Sequence, residues 1–370
     1  MPKKKKKVTS FYKKFITVLS LCSVLMLWLS AASAYINPGH FRFLSVLGLA
    51  FPILLACVLL MFMLCLLTAW KRAWIPLIGM AVCFSSIRTY FPINVPSPAP
   101  KSSYKFITYN TMGFASYANG PESEECQALV NFIIDNDPDF FCFQEGNTNP
   151  WSFLQDDFFK KAKKVMPYSD SQVIEANVLG CCSKFPILKK ELLYKEGMNG
   201  VVVFHLLLGE KDTLRIINCH LQSMGLTEDE RARYHDMVKH PENGEEMEEH
   251  SRLLVSKITK ATVLRAAQAD SVAAYIEQHR GDNIILCGDF NDTPISYTRQ
   301  RISDTGLTDA FRTTGNGLGR SFNRDGIIVR IDHLFCSEQW KPYSFHVDKT
   351  IHSSDHYPLV GYLDRIKNKK

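Results

Sequence analysis

The sequence predicts a mixed α/β domain carried behind an apolar amino-terminal third, and three observations predict it. First, charge divides the 370 residues near position 100: residues 1–100 hold 11 Lys+Arg and no acid, leaving 32 Lys+Arg against 37 Asp+Glu beyond. Second, the amino-terminal third is built from long uncharged runs. Third, the remainder alternates short β-branched or aromatic segments with stretches of helical periodicity. The net charge of +6 therefore combines a +11 segment with a domain of about −5, and a basic nucleic-acid surface does not follow from the total.

The first third reads as membrane. Phe15 to Ile36 carries no charge over 22 residues, Phe43 to Trp70 none over 28, and Ala73 to Ile87 forms a shorter third run of 15. A bilayer crossing needs about 20 apolar residues, so residues 1–91 are expected to form a membrane anchor of about three transmembrane helices. Lys3 to Lys7, Lys13 and Lys14 precede the first run, and Lys71 with Arg72 separate the second from the third. Cations mark the cytoplasmic side. Three crossings then make an integral membrane protein with its carboxy-terminal domain on the non-cytoplasmic side, while two would leave that domain cytoplasmic. Reading "KKKKK", the apolar run and "SAASA" as a cleavable leader leads to the same compartment. "PINVPSPAP", residues 92–100, holds four prolines, and residues 92–103 read as an extended linker.

Within residues 104–370, "KFITYNTMGF", "DFFCFQEGN", "NVLGCCSKF", "GVVVFHLLL", "LRIINCHLQS", "NIILCGDFND" and "RIDHLFCS" have strand character. Leu129, Val130, Phe132, Ile133 and Ile134 repeat at helical spacing before Pro138, as do Val263, Leu264, Ala267, Val272 and Ile276. Seven of the eleven cysteines lie beyond residue 100, mostly inside apolar runs, which reads as core thiols. The adjacent Cys181 and Cys182 have no evident reason. Residues 226–250 are strongly acidic and read as a solvated, partly helical excursion without an assigned function.

Polar residues gather where these strands end: Asn110, Gln144 and Glu145, His220, Asp289 and Asn291, Asp332, and Asp355 with His356. A buried strand such as Ile284–Cys287 has no structural need for acids at its end. Acids, amides and imidazoles without a cysteine cluster suit a hard cation such as Mg²⁺ and attack on phosphorus. An imidazole paired with a carboxylate stabilises charge on a phosphoryl oxygen, and an acid beside the metal activates water.

In order from residue 109 to 358, "YN", "FQE", "CHLQS", "GDFND", "RIDH" and "SDHYP" resemble the endonuclease/exonuclease/phosphatase superfamily. The resemblance covers the domain beyond residue 103 and implies a four-layer sandwich, two mixed β-sheets flanked by helices. It also implies divalent-metal hydrolysis of phosphodiester or phosphomonoester bonds, with Mg²⁺ as cofactor and Mn²⁺ as a substitute. Carried over by position, Glu145 is the main metal ligand with Asn110 beside it, and Asp355 is a further metal or water ligand. Asp289 acts on the water and Asn291 orients it, while His220 contacts the phosphate. His356 stabilises the transition state and Asp332 holds that imidazole. His220 and Asn291 are also the expected substrate contacts. Abasic-site endonucleases carry a second acid shortly after the first Asn, where Thr111 and Met112 stand here. The expected function is a membrane-tethered, nuclease-like phosphoesterase. The alternatives are a phospholipid phosphodiesterase of sphingomyelinase type, an inositol-phosphate phosphatase, or a non-catalytic membrane-bound module. The expected partners are a phosphoester substrate, nucleic acid or lipid head group, and the membrane; no protein partner is implied.

Overall fold

The computed structural model describes residues 2–115, 120, 122–146, 157–210, 212–225, 227, 229, 230, 233, 244–324 and 329–366. Most of the acidic excursion at 226–250 lies outside the described residues.

Two six-stranded sheets form the catalytic domain. The first has the order β11 (Trp340–Val347), β12 (Leu359–Arg365), β1 (Tyr104–Asn110), β2 (Phe140–Gln144), β4 (Asn177–Ser183) and β3 (Tyr168–Ile174). The second has the order β5 (Ile187–Glu196), β6 (Asn199–Leu207), β7 (Thr213–His220), β8 (Ile284–Asp289), β10 (Asp332–Cys336) and β9 (Thr308–Asp309). Both are mixed: β1–β2 and β7–β8 pair in parallel, their neighbours antiparallel. Between the sheets lies one apolar layer, including Phe106, Phe140, Cys142, Cys181, Val202, Phe204, Ile285 and Leu334. Helix α6 (Glu124–Asp135) and α7 (Phe159–Ala162) cover the first sheet through Leu129, Val130, Ile133 and Ala162. The long α8 (Gly244–Gln278) covers the second through Val272, Ala273 and Ile276. The expected four-layer sandwich is therefore present.

The seven strands expected from the sequence are all found. The others lacked a period-2 signal for physical reasons. β3 and β5 are edge strands with exposed polar and lysine-rich faces, and β11 carries Pro342 and a register shift. The Cys181–Cys182 pair also gains its reason. β4 is buried on both faces, so Cys181 enters the inter-sheet layer while Cys182 packs under the helices. All seven cysteines of this domain are buried and free.

Ahead of the domain stand α1 (Pro2–Ala32), α2 (Arg42–Leu49), α3 (Phe51–Thr68), α4 (Trp74–Val82) and α5 (Phe84–Tyr90). Helix α1 packs against α3 and α4, with the Trp28 indole donating to the Gly79 carbonyl at 3.0 Å. Ile16, Cys65, Ala69 and Ala73 meet at one end of this bundle, beside Lys71 and Arg72 in sequence. At the other end Ala31, Ala34, Phe51 and Tyr90 meet Ile295 of the catalytic domain. Two helical segments, Phe11–Tyr35 and Phe51–Thr68, are long and apolar enough to cross a bilayer. The third run departs from expectation. It is broken at Cys83 into α4 and α5, nine and seven residues long, and neither spans alone.

The proline-rich segment is extended, as its composition demands, but it is docked rather than free. Gly317 N donates to Pro92 O at 2.9 Å, and Asn94 Nδ2 donates to the carbonyls of Arg312 and Gly315 around the short helix α9 (Ala310–Thr314). Ser344 and Asp364 hold the chain further along, through Ser97 O and the Ser102 hydroxyl.

Candidate active site

The parallel pairs β1–β2 and β7–β8 run in register to one end of each sheet, so Asn110 and Gln144 sit side by side, as do His220 and Asp289. Antiparallel β10 starts where β8 ends and sets Asp332 opposite Asp289. Six polar strand ends separated by up to about 250 residues of sequence thus share one rim.

Asn110 is the joint between the sheets. Its Nδ2 donates to Glu145 Oε1 at 2.9 Å and to Asp289 Oδ2 at 3.0 Å, so one amide holds two carboxylates from different sheets. Strain surrounds it. Met112, Phe114, Ala115 and Glu145 all have left-handed φ, a conformation that costs about 1–3 kcal/mol where a side chain is present. Gly113 N donating to Glu145 O at 2.7 Å clamps this turn onto the metal-ligand candidate. At Gly288, φ is +127° and a Cβ would lie 2.0 Å from Cys219 O, so only glycine lets β8 deliver Asp289 beside β7.

His356 Nδ1 is 2.8 Å from Asp332 Oδ2, and its Nε2 is 3.6 Å from Asp289 Oδ2. Burial opposes charge on this imidazole, yet Asp332 and then Asp289 outweigh it and raise the pKa to about 10. Asp289 moves the other way from a usual carboxylate: burial, opposed by His356 and reinforced by Asp332, lifts it to about 6. Burial would also lift Glu145, but His220 first and then Asn110 hold it down at about 2. His220 Nε2 lies 3.3 Å from Glu145 Oε1. Its Nδ1 meets Asn177 Nδ2 at 2.9 Å, and that amide can only donate, so the ring hydrogen sits on Nε2, facing the site.

Among the described residues, two groups have ligand atoms within 4.8 Å of one another: Glu145, His220 and Asp289, and Asp289, Asp332 and His356. The first fits a hard cation. Glu145 is ionised and 38% exposed, so the ion would keep its waters, and the buried Asp289 supplies a second carboxylate. The second is already neutralised as an ion pair. Asp355, expected as a further metal or water ligand, lies outside these two groups, and its Oδ2 is 3.9 Å from Arg324 Nε. Asn291 is bonded to Asp289 through both its backbone and its side chain. Its backbone N donates to Asp289 Oδ1 at 2.7 Å and its side chain to Leu221 O at 3.0 Å and Asp289 Oδ2 at 3.3 Å, so it fixes the acid.

Several supporting residues gave no local signal. Ser321 Oγ accepts from the backbone of Ile331 and Asp332. Ser354 Oγ donates to Asn110 O and accepts from His356 N. Asn218 in β7 ties Gln144 to Phe143 O and Gly180 O beneath the rim. Arg265 on α8, buried, pairs with Asp292 at 3.2 Å and fixes the loop after Asn291. Of these, Asn218 lay inside "LRIINCHLQS" and Ser354 inside "SDHYP", but neither marked itself as a site residue.

A two-sheet sandwich with this rim defines a phosphoester-cleaving hydrolase. The chain belongs to the endonuclease/exonuclease/phosphatase family, whose model matches residues 107–356, and family members depend on a divalent metal. Residues 13–90 match a second model, described as a domain of unknown function. Among solved structures, the human Nocturnin catalytic domain with bound sulfate aligns at TM-score 0.51 and 15% identity, covering 74% of this chain and 96% of that one. A family protein from Bacteroides thetaiotaomicron aligns at TM-score 0.49 and 17% identity, covering 72% and 98%. Beta toxin from Staphylococcus aureus aligns at 0.48 and 15%, covering 70% and 99%. At these identities the likeness is one of fold. No curated protein sequence matches the chain significantly.

Proposed function

We propose that this protein is a membrane-tethered, Mg²⁺-dependent phosphoesterase, with Mn²⁺ able to substitute. The observation that carries the reading is the pair of carboxylates bridged by Asn110, one ionised and open, the other buried beside a charged His356. Glu145, beside Asn110, would hold the cation, which would supply Lewis-acid stabilisation of the phosphoryl oxygens and leave Asp289 to act on the water.

Asp289 takes a proton from the attacking water, whose oxygen bonds to phosphorus as the P–O bond to the leaving group breaks. The proton ends on the leaving oxygen. His356, kept charged by Asp332, donates from Nε2 to a non-bridging oxygen as negative charge builds. The Nε2–H of His220 stands ready for the phosphate, and Asn291 and Asn110 keep Asp289 aimed.

For tethering, the support is the bundle's outer surface. Phe43, Leu60 and Leu67 are 81%, 69% and 83% exposed, with Phe15, Val18, Leu25, Ile53 and Met63 also exposed among many others. Water does not tolerate an apolar surface of that extent. Taken together, α4 and α5 return the chain from Lys71–Arg72 to the catalytic domain, so the third crossing is a kinked one and the catalytic domain lies on the non-cytoplasmic side.

A phospholipid head group is favoured over duplex nucleic acid by one observation. The bundle packs on Ile295 and Arg330, six and two residues from Asp289 and Asp332, which would bring the site close to a bilayer that holds the bundle. The test is turnover by the full chain in detergent with Mg²⁺ on sphingomyelin, phosphoinositides, plasmid DNA, RNA and bis(p-nitrophenyl) phosphate. Lipid turnover well above the others is expected. Preference for DNA or RNA would refute the lipid reading, and no turnover of any substrate would refute the enzyme.

A further inference from the structure

We infer that the amino-terminal bundle is a working wall of the active site: it positions the two loops that deliver Asp289 and Asp332, beyond tethering them to a membrane. The inference rests on the phosphoesterase reading for its kinetic arm only.

The first contact is on the loop after β8. Ile295, six residues past Asp289, is 3% exposed and belongs to the same apolar cluster as Val24, Leu27, Ala31, Ala34 and Phe51. The fit is tight, because a Cβ at Gly48 would lie 2.7 Å from the Ile295 carbonyl oxygen and 2.6 Å from Ser33 Oγ. Alongside, Asn37 Nδ2 reaches Asp270 and the Tyr297 hydroxyl, both at 3.3 Å. The far side of this loop is anchored by Asp292, which accepts from Arg265 of α8 and from the Thr298 hydroxyl. Residues 292–297 are therefore gripped between the bundle and the domain's own helix.

The second contact is on the segment before β10. Arg330, two residues ahead of Asp332, is fully buried, and its guanidinium donates to Thr89 O of α5 at 2.7 Å and to Leu318 O at 2.8 Å. Its plane lies 4.2 Å over the Phe311 ring. A buried guanidinium needs its donors met, and here a carbonyl of the bundle meets one of them. Without the bundle, Arg330 would lose that partner, Ile295 would face solvent, and both loops would gain freedom. Misplacement of a catalytic group by about 1 Å costs on the order of 100-fold.

A tether alone predicts that turnover of a small soluble phosphodiester is indifferent to the seam. The test is Gly48→Val in the full chain in detergent, which wedges the seam without altering any residue beyond 103. Activity on bis(p-nitrophenyl) phosphate and hydrogen exchange are both measured. The expected result is a fall in kcat of about 10 to 100-fold with KM little changed, and faster exchange confined to residues 290–297, 318–324 and 329–332. Arg330→Lys, which keeps the charge but loses the fork, should reproduce both effects and serves if the wedge unfolds the bundle. Wild-type kcat in both variants, or unchanged exchange in those segments, overturns the inference. If wild type turns over no phosphodiester at all, the phosphoesterase reading fails, and the exchange comparison still decides whether the bundle holds the loops.

Discussion

Glu145 and Asp289 are both acids at strand ends, joined by one amide, yet the two halves of the rim treat them oppositely. On the first sheet Glu145 is 38% exposed and held at about 2; on the second Asp289 is 1% exposed and lifted to about 6. Solvent access and the partner decide the difference: a permanently ionised acid open to water suits a cation, whereas an acid poised near neutrality suits proton transfer. The two carboxylates thus stand in separated environments, which is what the proposed division of roles needs.

The strongest way to break this comparison is to remove the cation. Excess chelator should abolish turnover and Mg²⁺ or Mn²⁺ restore it, and Glu145→Gln should lose turnover at ordinary Mg²⁺. Undiminished activity in chelator would end the metal-ligand reading of the open half. Next comes the buried half. Asp289→Asn keeps size and fold but removes the base, for an expected loss of about 100 to 10,000-fold. An Asn variant that melts like wild type and works within a few-fold of it would show that Asp289 is only a strand cap.

Asp332→Asn should act through His356, lowering turnover by about 100-fold as one charge-stabilising donor weakens. Its signature lies in pH. A pKa raised from 6.5 to about 10 means the charged imidazole's contribution to stability is whole below 6.5 and lost as pH rises through 10. The melting temperature of the metal-free protein should therefore fall between pH 7 and 10, and this slope should flatten in the variant. Equal slopes would dismiss the pair. The smallest effect is expected of Asn291→Ala, which removes side-chain hydrogen bonds to Asp289 and Leu221 O; about 10-fold in rate corresponds to one bond to a charged group. A parallel loss of melting temperature and rate would instead mark Asn291 as a loop cap.

Sequence alone located much of this rim because its chemistry is carried by residue types out of place: acids, amides and imidazoles closing apolar strands. It also separated the acid-free amino-terminal third, since long uncharged runs are readable without coordinates. Tertiary structure decided what local pattern does not encode. Asn110 meets Asp289 across 179 residues of sequence, and the amide that fixes the His220 tautomer comes from Asn177 on the other sheet. The break at Cys83, the turning of Asp355 toward Arg324, and the seating of Gly48 on Ile295 were equally silent. Each depends on which surfaces meet after folding, and such meetings leave no period in the chain because their partners lie far apart along it.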